Sequence, residues 1–352
     1  MKKTLTGILL TAGLMALLAV LILRRPQTEE VPEPVRILSF SGDTVVCAIA
    51  VDDHPLSRAA GGFAASLNME LIRHCALADS FEVHFVRPLP EESVQDSLEA
   101  GRYDLMVAYS DSLESNRFRM VSAAGEGVVW ALAPHHSDKA DSLERWLLRY
   151  MDTEEYVADS VRFRCVYTPR KAYDKGRSYS RISPYDLSVR AAARELGWDW
   201  RLLSALIFTE SKFSATARSH RGAFGLMQIV PDDGDYDKLL DPYVSIELGT
   251  AHLRRIQRFF RSQGVDSLDA LQHITVAAYN AGEGRMTDCM NLASALGYRS
   301  NVWEDLAEVI PLMATHADSI DAIALGTFRG KETLAYVDSV FTNYSLYRQI
   351  VP

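Results

Sequence analysis

Only four cysteines, Cys47, Cys75, Cys165 and Cys289, are spread over 352 residues, with no C-x-x-C pair and no histidines beside them in a ligand pattern. That scarcity argues against a thiolate metal site and leaves two fates, buried free thiols or one disulfide among the first three. Basic charge is also short: 37 Lys and Arg stand against 46 Asp and Glu, a formal net charge of -9. A nucleic-acid binder needs cations to neutralise phosphates, so that class is set aside and any electropositive groove must be local. No internal repeat is present.

What remains is ordinary globular material, 48% hydrophobic and 24% charged, long enough for about two domains. Lys3 and Arg24 bracket one uncharged run, "TLTGILLTAGLMALLAVLIL", the length a helix needs to cross a bilayer. We read residues 1–25 as a membrane anchor or signal segment, the anchor being favoured because no small-x-small cleavage site precedes Arg24. Basic residues at both ends (Lys2, Lys3; Arg24, Arg25) leave its orientation open.

Beyond the Pro- and acid-rich spacer, residues 36–167 alternate between strand and helix patterns. "TVVCAIAV", "FEVHFVRPL", "YDLMVAYS" and "GVVWALAP" read as strands; "FAASLNMELIRHCAL" and "VQDSLEAGR" read as helices. Residues 168–182, with five basic side chains in "TPRKAYDKGRSYSR", read as a linker. From Ser183 to the end at 352 the pattern is helical, in pieces over 184–197, 199–212, 243–262, 267–280, 302–316 and 331–348.

One helix ends on an acid. Asp199 can cap it, and Leu203, Leu206, Ile207 and Glu210 then fall at i, i+3, i+4 and i+7, which places Glu210 on the apolar stripe in the last turn. Burial and the negative end of the helix dipole both disfavour a carboxylate there, so its pKa should rise toward what a general acid requires. A surface Glu at a fraying helix end is the alternative.

The residues that follow are informative as a set. "ESKF", then "ARSHRGAFGLMQIVP", then "AAYNAGEG", in that order and spacing, resemble the lytic transglycosylase domain related to goose-type lysozyme. "RISPYDLSVRAAARELGWDWRLLSALIFTESKF" and "GKETLAYVDSVFTNYSLY" are similar to the entry and last helix of that domain in membrane-bound lytic murein transglycosylases, which join a solute-binding-like region to it. "ESVQDSLEAGRYDLMVAY" and "DKADSLERWLLRYMDTEEYV" resemble the first lobe of solute-binding proteins, with no room for a second.

The resemblance implies an α+β multidomain chain: an N-terminal membrane helix, a truncated α/β periplasmic-binding-protein-like lobe that does not clamp a small solute, and a mostly α lysozyme-like domain. It implies cleavage of the β-1,4 bond between N-acetylmuramic acid and N-acetylglucosamine in peptidoglycan without water. Glu210 is then the catalytic acid. Ser219 is expected to bond substrate or Glu210, or only to form a turn; Gln228 and the backbone of Met227 to line the sugar groove, the Met side chain filling core. Tyr279 is expected to orient Glu210 and Asn280 to bond the same loop, a buried structural pair being the alternative. Glu332 and Tyr336 are expected to support the last helix, without chemistry of their own.

No metal or organic cofactor is implied. The partners implied are peptidoglycan glycan strands and, through the N-terminal segment, a membrane; no nucleic acid. The location implied is the cell envelope, body in the periplasm, with an inner-membrane anchor favoured and outer-membrane association the alternative. Two departures stand out: "PDDGDYDKLL" is short and lacks the family's Thr-Ala helix start, and Ser245 stands where the family commonly has Asn. Both put substrate contacts on that side in doubt. Asp232, Asp233 or Asp235 could supply a second carboxylate, which keeps a hydrolytic muramidase open, as does a non-catalytic peptidoglycan-binding module.

Overall fold

The structure, a computed structural model, describes residues 40, 44–51, 63–88, 92–114, 116–164, 180–231, 234–316 and 323–352. The apolar run over 4–23, most of the linker over 168–182, Cys165, Asp232 and Asp233 lie outside them. No helix of the described residues is long and apolar enough to cross a membrane.

The first half is a five-stranded mixed sheet. Strands β1 (Thr44–Ile49), β2 (Glu82–Val86), β3 (Leu105–Tyr109), β4 (Arg119–Ser122) and β5 (Val128–Leu132) lie in the order β2-β1-β3-β5-β4. β1 is parallel to β2 and β3, while β5 runs antiparallel to both β3 and β4. Helices α1 (Ala64–Asp79) and α2 (Val94–Glu99) connect the parallel strands. Period-two alternation assigns the faces: Cys47, Ile49, Val107, Trp130 and Leu132 join the main core with α1, whereas Ala48, Met106, Ala108 and Ala131 pack with Leu98 of α2. Buried Asn68 of α1 accepts from the Trp130 indole (2.9 Å) and donates to the carbonyls of Ala64 and Ala124 (2.8 and 2.7 Å), so its amide costs little to bury. Helices α3 (Ala140–Met151) and α4 (Glu154–Arg164) close this half.

The second half is helical. It comprises α5 (Asp186–Leu196), α6 (Trp200–Ser211), α7 (Pro242–Ser262), α8 (Leu268–Ala281), α9 (Glu283–Ala295), α10 (Trp303–Val309), the single turn α11 (Met313–His316) and α12 (Lys331–Ile350). Helix starts follow the side-chain chemistry: Asp199 accepts from Arg201 N (2.9 Å), and Asp241 accepts from Tyr243 N (2.8 Å) with Pro242 in the first turn. Two expectations change. The piece over 302–316 is broken by a 3-10 turn at Ile310–Leu312, because Pro311 has no N–H to continue the ladder. Helix α9 was not legible, since Gly284, Thr287, Asp288 and Asn291 are weak helix formers; it forms because Met286, Cys289, Leu292 and Ala293 find buried partners.

The two halves share one apolar cluster, which runs from the α1 face of the sheet through Tyr185 into α5–α8 and α12. Tyr185 donates to Ser66 of α1 (2.8 Å), and Arg73 of α1 reaches Asp241, the N-cap of α7 (3.0 Å). Cys47, Cys75 and Cys289 are buried free thiols, with the Cys289 thiol pushed up to about 12, chiefly by burial.

Candidate active site

Helix α6 carries its apolar stripe as expected: Leu203, Leu206 and Ile207 are fully buried, and Glu210 follows in the last turn, half-buried. The helix stops abruptly. Lys212 and Phe213 both take left-handed backbone conformations (φ 55° and 63°), and the Lys212 ammonium curls back onto the Phe208 carbonyl at 2.9 Å. Two consecutive non-glycine residues in that region are strained, and the strain sits next to the candidate acid. Burial pushes the Glu210 carboxyl up to about 7, opposed by a hydrogen bond from Tyr336 and by the Lys212 charge.

The partner of Glu210 is not the one expected. The Tyr336 hydroxyl, from α12, donates to Glu210 Oε1 at 2.5 Å. Tyr279 instead donates to the Met227 carbonyl at 2.6 Å, although it lies close enough to feel the Glu210 charge. Asn280 likewise turns away from the loop, and its Oδ1 accepts from Thr333 of α12 at 3.0 Å. Thr333 and Tyr336 are three residues apart, so one face of α12 secures both the end of α8 and the acid. Sequence spacing could not show a contact across 126 residues; the only pointer was the Tyr in the "KETLAYV" resemblance.

The glycine-punctuated loop forms the opposite wall. Ser219 closes its own turn: the hydroxyl accepts from Ala223 N at 3.0 Å, while Ser219 N donates to Ala223 O at 2.9 Å. The turn-former reading is what this geometry displays. Gln228, left-handed at φ 50°, donates its amide to the carbonyls of Ala217 (3.1 Å) and Gly225 (2.9 Å). The Met227 side chain is fully buried against Gly249 of α7, where an added Cβ would come within 2.4 Å of its sulfur. Ser245, where the resemblance commonly has Asn, is itself fully buried and accepts from Met227 N at 3.1 Å, which makes it a pin for the loop. Glu332 is exposed and 3.7 Å from Arg221 of the turn, a solvent-screened pair worth little.

Gly225 has φ 76°, and a Cβ there would meet the Leu239 carbonyl at 2.4 Å. We expect Gly225→Ala to destabilise the protein by at least about 2 kcal/mol, from left-handed strain plus the backbone clash. Gly222→Ala has nothing nearer than 3.8 Å and should lose only about 1 kcal/mol. Urea melts of the two variants check the contrast.

A groove of about 640 Å³ begins at Gln228 and Tyr279 and continues along Ile229, Lys238, His252 and Arg255. Tyr279, which lines it, also feels the Glu210 charge. Asp235, the described member of the three acids considered as a second carboxylate, lines a separate cavity with Val86, Arg87 and Tyr103 at the sheet edge. The arrangement can protonate a leaving oxygen and then hold the resulting carboxylate through Tyr336.

Residues 188–301 match the family described as the Transglycosylase SLT domain. The membrane-bound lytic murein transglycosylase F of Shewanella pealeana is 29% identical over 274 residues, covering 72% of this chain and 55% of that protein. The protein of the same name from Desulfosudis oleivorans is 29% identical over 176 residues, 49% of this chain and 38% of that one. That of Maricaulis maris is 34% identical over 167 residues, 47% and 36% of the two chains. The chain thus spans about half the length, or less, of these curated relatives.

Proposed function

We propose that this chain is a peptidoglycan lytic transglycosylase that cleaves the β-1,4 bond between N-acetylmuramic acid and N-acetylglucosamine and leaves a 1,6-anhydromuramoyl end. The observation that carries the reading is Glu210 itself: one carboxyl, pushed up to about 7 by burial, with a tyrosine donor on one oxygen. Held protonated near neutral pH, it gives its proton to the departing glycosidic oxygen. As a carboxylate, it then takes the proton of the muramoyl 6-hydroxyl while that oxygen bonds C1. Glu210 ends as it began, and the nucleophile belongs to the substrate, so no second acid of the usual glycosidase pair is required.

In this reading Gln228 and the backbone at Met227 present the groove wall, Tyr279 fixes that wall through the Met227 carbonyl, and Asn280 and Thr333 fix the α8–α12 contact. Ser219 shapes the turn, and Tyr336 becomes the positioning residue of the acid. Residues 36–167 form the truncated solute-binding-like lobe and residues 183–352 the catalytic domain; the bonds from Arg73 and Tyr185 between them support a lobe that positions the catalytic helices. The substrate places the body in the compartment that holds the cell wall, tethered by the 1–25 segment.

Mass spectrometry of the muropeptides released from purified peptidoglycan tests this. Products one water lighter than hydrolytic ones are expected; reducing ends would establish a muramidase, and no release would leave a binding module.

A further inference from the structure

Outside the groove, among the described residues, two groups of acids and histidines bring their donor atoms within 4.8 Å of one another. In the first, Glu70, His74 and Asp159, cations already occupy the centre: Arg73 lies 3.3 Å from Glu70, and Arg162 lies 2.9 Å from Glu70 and 2.8 Å from Asp159. In the second, Asp104, His135 and His136, both imidazoles face the one carboxylate, and the neighbouring cation, Lys139 of the same turn, acts on His136. We propose that these three residues form a binding site for a borderline divalent transition-metal ion, of which Zn²⁺ is the prototype.

The geometry begins with the sheet. Asp104 immediately precedes β3, and His135 and His136 follow β5 in a 3-10 turn, Pro134–Lys139, so the antiparallel β3–β5 pairing brings all three to one sheet end. The backbone there is fixed twice, by Ala133 N donating to Asp104 O at 3.0 Å and by Asp104 N donating to Val46 O at 2.9 Å. The two imidazole Nε2 atoms both stand 3.2 Å from the same oxygen, Asp104 Oδ1. Ligands bonded to zinc at roughly 2.0–2.2 Å in a tetrahedron lie about 3.3–3.5 Å apart, so these separations need little adjustment.

The other Asp104 oxygen, Oδ2, accepts from Val46 N at 2.9 Å, the kind of outer contact that holds a ligating carboxylate in place. A bound ion would take the lone pairs of these two nitrogens, with each ring's proton then on Nδ1. Access is open, because the side chain of His135 is 49% exposed, and water can complete the coordination. Two nitrogens and one oxygen suit zinc, nickel or copper over magnesium or calcium, which prefer all-oxygen sets. An ion here would tie the end of β3 to the turn after β5.

The test is a zinc titration of the full, tag-free chain in detergent, read by calorimetry and native mass spectrometry, beside His135→Ala, Asp104→Asn and His74→Ala. One zinc per chain is expected. Its affinity should fall by about tenfold or more in the first two variants, with unchanged circular dichroism, and stay unaltered in His74→Ala. Thermal stability should rise with added zinc in the parent chain and not in His135→Ala. No binding at about 100 µM zinc, equal binding in His135→Ala and Asp104→Asn, or loss confined to His74→Ala would each overturn the proposal.

Discussion

Glu210→Gln should lower turnover of peptidoglycan by roughly 10²–10⁴-fold, the usual contribution of a positioned acid and base, while raising the stability of the fold above neutral pH. The two effects share one cause. A carboxyl whose folded pKa is about 7 and whose reference value is 4.5 binds its proton more tightly in the native state. Below pH 4.5 it is neutral in both states and contributes no difference. As pH rises through the folded pKa, the native state must hold an ion that the unfolded chain would solvate freely, and above that the cost reaches its limit of about 3 kcal/mol, less where solvent screens the half-buried group. Glutamine removes that cost and keeps the shape. Melting temperatures of parent and variant should therefore coincide near pH 4 and separate in favour of the variant at pH 8, with activity lost throughout. A variant equally stable at both pH values would mean that Glu210 is solvated and carries no raised pKa.

Much of this site could be read in the chain before any coordinates, and the reason is local. Asp199, Leu203, Leu206, Ile207 and Glu210 lie within one helix, where a 3.6-residue period maps sequence position directly onto a face. The strands β1, β3 and β5 were legible as short apolar runs, and the structure places Cys47 and Ala48 on opposite sides. What could not be read depends on pairs far apart in sequence. Tyr279 and Tyr336 are equivalent on paper, each a tyrosine in a motif near a helix end, and only the packing of α12 against α6 decides which hydroxyl reaches the acid. Ser245 shows the same limit. As a substitution it put a substrate contact in doubt, yet in three dimensions it caps the Met227 N–H from inside the core. Helix α9 failed for another reason: its weak propensity is overcome by burial of Met286 and Leu292, a tertiary effect no window of sequence contains.

Tyr336→Phe separates a positioning role from mere packing. The ring stays and only the donor to Glu210 Oε1 is removed. A hydrogen bond to an ion is worth about 1.5–3 kcal/mol and one to a neutral group about 0.5–1.5, so the tyrosine stabilises the carboxylate over the acid by roughly 1–1.5 kcal/mol. The carboxylate forms as the glycosidic bond breaks, and kcat should accordingly fall about tenfold with KM nearly unchanged. The same loss makes the free acid harder to ionise, because burial now acts with one opposing contact fewer. In the parent, kcat/KM should decline above about pH 7 as Glu210 gives up its proton; in the variant that decline should begin about one pH unit higher. Tyr279→Phe provides the contrast: its hydroxyl holds the Met227 carbonyl, so activity should drop through a loosened groove wall and a higher KM, with the pH limb in place. Slower turnover in Tyr336→Phe without displacement of the limb would show that the hydroxyl supports the helix and leaves the acid untouched.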